Sequence, residues 1–101
     1  MPVLKEAAEE STIQAREAQK VIRSFADLMS QISEVEAVLG TLDDGAFSLW
    51  SVTDEVSVEV EDRIYEMEGR LMDMFPGEGF DFEIVERRGR PLEEIVSLVI
   101  A

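Results

Sequence analysis

From Glu9 to Leu39 the chain runs without a single Gly or Pro, and nothing else in it constrains the fold as strongly. Within that stretch Ala18, Val21, Phe25, Leu28, Ile32, Val35 and Leu39 are separated by alternating steps of three and four residues. This is the a/d seam of a coiled coil, because a 3.5-residue repeat keeps one apolar stripe on one side of a helix. The spacing predicts one amphipathic helix over residues 2–39, beginning near Pro2 or Ser11 and ending at Gly40. Ala15, Ile22, Ala26 and Met29 form a second row beside the seam and widen it beyond a two-stranded contact. A helix of about 30 residues spans ~45 Å, more than a small domain covers. Val21, Phe25, Leu28, Ile32, Val35 and Leu39 are therefore the expected interface with a second copy.

Residues 42–101 read as a small α+β unit, so the chain of 101 residues is expected to be one domain, two layers deep. Asp43-Asp44-Gly45 carries turn chemistry and bends the chain into a strand. Ala46 to Thr53 is aromatic and β-branched, with Phe47 and Leu49 on one side and Trp50 and Val52 on the other. Asp54 or Ser57 caps a second helix over roughly residues 57–75, whose buried stripe is Val60, Ile64, Met67, Leu71 and Met74. Phe75-Pro76-Gly77 stops it. Phe80, Phe82 and Ile84 then alternate with Asp81, Glu83 and Val85, the period of a strand, parallel to the previous one. After a turn at residues 87–91, residues 95–101 read as a third strand or docked segment, with a helix from Pro91 as the alternative. The order is helix, strand, helix, strand and a possible further strand. Trp50-Ser-Val-Thr-Asp54, the acidic helix and the Phe75-to-Phe82 passage resemble small bacterial proteins, a likeness that carries no function with it.

Nine basic residues stand against twenty-three acidic ones, a net charge of −14. Nucleic acid and anionic membrane are poor partners for such a chain, since gripping phosphate needs the opposite sign. The charge is concentrated in residues 43–86, with fourteen acidic and two basic groups. That segregation supports the second functional expectation, an inhibitor or antitoxin-like protein holding a basic protein. The first is a non-catalytic assembly or regulatory module, a homodimer or higher oligomer joined through the first helix.

The chain has no Cys and no His, which removes thiol nucleophiles, zinc sites and imidazole bases together. Glu59, Asp62, Glu66 and Asp73 share one side of the second helix. They read as a solvated acidic face and not as metal ligands, because neither an EF-hand loop nor a Glu-x-x-His pair accompanies them. Arg87, Arg88 and Arg90 are the one basic cluster, read as a charged turn able to meet an acidic helix or a small anion. No catalytic residue and no cofactor is expected, a carboxylate site between subunits being the catalytic alternative. Trp50 and Tyr65 are read as core residues, and Met67, Met72 and Met74 as core filling before an adaptable binding face. The acidic start lacks the basic flank and apolar run of a signal peptide, and a cytoplasmic location is expected.

Overall fold

The computed structural model describes residues 2–100, with side chains over residues 15–97. The order is α1 (Pro2–Met29), β1 (Val35–Asp43), β2 (Ala46–Thr53), α2 (Val58–Met74), β3 (Gly79–Glu86) and α3 (Leu92–Ile100). The fold is α+β, three helices with one three-stranded sheet of order β1-β2-β3.

The first helix does not reach Gly40. It ends at Met29, and Val35 and Leu39, expected on its seam, lie in β1. The helix ends without Gly or Pro: the Ser30 amide makes its last regular bond, to the Ala26 carbonyl, while the Ser30 Oγ donates to the Asp27 carbonyl at 2.6 Å. The amides of Gln31 and Ile32 then reach back only three residues, to Leu28 and Met29. Downstream, Asp44 (φ 51°) and Gly45 (φ 78°) occupy the two central positions of the turn, and Asp43 pairs with Ala46. A two-residue turn with positive φ at both positions matches the twist of a tight hairpin. Such a hairpin needs a strand before it as well as after it, and residues 35–43 supply that strand, antiparallel to β2.

Gly40 therefore has a role other than stopping a helix. A Cβ there would lie 2.8 Å from Leu49 Cδ2 and 2.9 Å from Ile22 Cγ1, so the missing side chain lets α1 approach the sheet. Directly paired residues share a side of the sheet, which places Val38, Gly40 and Leu42 beside Ser51, Leu49 and Phe47. The parallel register adds Ile84, Phe82 and Phe80 to the same side. Phe47 and Phe80 stack at 5.7 Å, Phe80 and Phe82 at 5.5 Å, and Phe25 of α1 meets Phe82 at 6.0 Å. Val21, Phe25, Met29 and Ile32 join Val60, Ile64, Met67 and Leu71 of α2 over Phe47 and Leu49 in one buried core.

The last segment is helix, the alternative reading. Pro91 starts it by accepting from the Glu94 and Ile95 amides, and Glu93 and Glu94 stand in the first turn, where the helix dipole favours acid. Ile95 is buried, as is Val52 on the side of β2 away from Phe47 and Leu49; both lie outside the main core.

Candidate interaction surface

The helix α2 carries most of the candidate chemistry, and its local sequence explains its placement. Ser57 caps it by accepting from the Val60 amide at 3.2 Å, with Glu59 and Glu61 in the first turn. Phe75 closes the other end, its amide donating to the Leu71 carbonyl, before Pro76 forbids continuation. Val60, Ile64, Met67 and Leu71 are buried as the spacing predicts. Met74 is not: it lies 53% exposed in the final turn.

Around the rest of this helix the side chains fall into stripes, since each residue turns the helix by ~100°. Glu59, Asp62, Glu66 and Asp73 share the outer side, and all four are exposed. Only Glu66 has a cationic partner among the described residues, Arg70 one turn along at 3.0 Å. Arg63 turns away to bind Glu34 at 3.0 Å, tying α2 to the link between α1 and β1. Hydrogen bonds to Glu34 from a backbone amide and from Ser33, followed by the Arg63 charge, hold its carboxyl below the usual range. The acidic stripe does not converge: among the described residues no three acidic side chains are gathered as a cation would require.

Between the acidic stripe and the buried side stands a row that sequence reasoning missed. Val58, Tyr65 and Met72 recur every seven residues and are 76%, 53% and 47% exposed. Tyr65 and Met72 thus leave the core assigned to them on composition. Glu61 lies beside Tyr65 and, with burial and the nearby Glu68 and Asp62, pushes the Tyr65 phenol above its ordinary pKa. On the inner edge of the row Glu68 is only 6% exposed, and this burial pushes its carboxyl up to about 7. No cation pairs with Glu68 among the described residues. The signal available in sequence was the seven-residue spacing of Val58, Tyr65 and Met72, masked by the stronger apolar stripe of the same helix.

The basic turn is largely consumed inside the molecule. Arg87 binds Glu36 at 3.0 Å and lies 3.6 Å from Asp54, so one guanidinium gathers the ends of all three strands. The hydrogen bond to Glu36 raises its pKa further. Arg88 pairs with Glu86 at 2.9 Å. Asp54 also accepts from the Gly89 amide at 2.7 Å, fixing a turn in which Arg88 and Gly89 have positive φ. Arg90 alone of the three has no carboxylate partner among the described residues.

The six residues expected at an interface between copies are placed elsewhere. Val21, Phe25 and Ile32 are buried in the chain's own core, with Leu28 and Val35 packed against it. Leu39 pairs with Trp50 on the opposite side of the sheet. The outer side of α1 is instead polar, with Arg16, Lys20 and Arg23 along a shallow groove of about 290 Å³. Among the described residues no helix is long and apolar enough to cross a membrane. No family model, curated protein or solved structure matches the chain.

Proposed function

We propose that the chain is a non-catalytic binding module that holds a basic protein partner against the acidic surface of residues 43–86. The observation that carries this reading is charge left without a partner along one helix. Glu59, Glu61, Asp62 and Asp73 all project from α2, and none makes an ion pair among the described residues. Like charges held this close repel one another, and a basic partner relieves that repulsion while steering itself to the surface. Self-association through the α1 seam has less support, because Val21, Phe25 and Ile32 would have to leave the core to meet a second copy.

The test is affinity capture from the source cell on the wild-type chain and on a variant carrying Glu59→Gln, Asp62→Asn, Glu66→Gln and Asp73→Asn. The expected result is a basic protein held by the wild type, released as salt rises through physiological strength, and absent from the variant. Identical captured proteins on both chains, or binding indifferent to salt, would contradict the proposal.

A further inference from the structure

Resting on that reading, we propose that the row Val58, Tyr65 and Met72 is the seat for one amphipathic helix of the partner, apolar along one row and flanked by Lys or Arg. The row has the shape for such an occupant. Residues seven apart on a helix drift by only about 20°, so the three exposed side chains line up over ~21 Å of axis. The partner of such a line is another helix with apolar residues at the same heptad spacing. The opposite side of α2 is already used by the core, so this helix is apolar in two directions and only one of them is covered among the described residues.

Gly69 supports a close neighbour at this place. It lies between Tyr65 and Met72 in the interior of α2, where glycine is a poor helix former. No positive φ calls for it, and a Cβ there would touch nothing within 4 Å. Packing among the described residues therefore gives no reason for a missing side chain, in contrast to Gly40. A helix crossing over Gly69 does give one, since bare backbone lets the two axes approach.

Charge decides the chemistry of the occupant. Glu61 borders the row on its inner edge, and Asp62 and Asp73 on its outer edge. An apolar row with a carboxylate on each side selects Lys or Arg on both flanks of the incoming helix. A second copy seated by the same row would set carboxylates against carboxylates.

The probe is a synthetic helical peptide of about three heptads, Leu in its apolar row and Lys on the flanks, titrated calorimetrically into the whole chain. Polylysine of equal charge is the control. The variants are Gly69→Gln and Tyr65→Ser, both on the surface, with thermal unfolding to verify the fold. The expected result is that the peptide binds the wild type and polylysine binds far more weakly. Each variant is expected to weaken the peptide at least about tenfold, and Gly69→Gln to do so while raising Tm. No binding of the peptide to the wild type, or equal affinity for the wild type and Gly69→Gln, would overturn the seat. Polylysine bound as tightly as the peptide would also overturn it, leaving the broader acidic binding reading intact. A rise in solution mass of the wild type alone, abolished by Gly69→Gln, would overturn it in favour of a second copy, whose α1 offers Arg16, Lys20 and Arg23.

Discussion

In α1, Val21 and Phe25 are wholly buried against the sheet and α2, whereas Val58, Tyr65 and Met72 of α2 stand in solvent. Both helices carry apolar residues at heptad spacing, so spacing by itself does not say whether a row meets the chain's own sheet or another molecule. What separates them is the surroundings. The α1 row ends at a hairpin that folds back beneath it, with Gly40 admitting Ile22 to the sheet. The outer row of α2 has carboxylates on both sides and no element over it among the described residues. The proposed contact surface rests on this difference in surroundings and not on the length of the row.

The largest effect expected from this comparison is at Phe25. Phe25→Ala should cost about 3–5 kcal/mol in urea unfolding, the cost of a cavity in a closed core. Tyr65→Ser should stay within about 0.5 kcal/mol, as surface changes do. Similar costs at the two sites would dissolve the distinction. Next is Glu68, whose proton is bound more tightly in the fold, at about 7, than its ordinary value of 4.5. Below pH 4.5 folded and unfolded chains both hold this proton. Between there and about 7 only the folded chain does, so stability falls as pH rises. The loss amounts to roughly 3 kcal/mol across that window. Glu68→Gln should therefore flatten the pH profile of Tm and gain most at pH 8; an unaltered profile would contradict the assignment.

The two glycines give a smaller test with opposite signs. Gly40→Ala should destabilise by about 1–3 kcal/mol, since its methyl group meets Leu49 and Ile22. Gly69→Ala should stabilise by about 0.5–1 kcal/mol, because nothing obstructs the methyl group and alanine is the better helix former. Equal signs would erase the difference between a packed side and an open one. The smallest effect is expected at Arg63, nearly half exposed in its pair with Glu34. Arg63→Ala should cost less than about 1 kcal/mol, and a larger loss would make this tie between α2 and the link before β1 a principal fastening.

Much of the α+β plan was legible in local pattern. The strand at Phe80–Ile84, the stop at Pro76 and the buried stripe from Val60 to Leu71 rest on period and breaker residues, and each appears in the structure. The boundary at Met29 was not legible, because neither Gly nor Pro marks it and the heptad spacing continues by coincidence into β1. The positive-φ pair Asp44-Gly45 held the correction, since a hairpin turn demands strands on both sides. For the surface, the acidic stripe was visible as i, i+3 and i+4 spacing. The Val58, Tyr65 and Met72 row was not, because a helix with two apolar sides reads in sequence as one with a wide core face. Pairing across distant segments was equally hidden: Arg87 with Glu36 joins residues fifty-one positions apart.

The most direct test of α2 as a contact surface is the set of backbone amide shifts in the isotopically labelled chain as the Lys-flanked peptide is added. Shifts are expected to concentrate at Val58, Asp62, Tyr65, Gly69 and Met72, with the buried Val21 and Phe25 unchanged. Shifts centred on Arg16 to Asp27 of α1, or none at any peptide concentration, would contradict it.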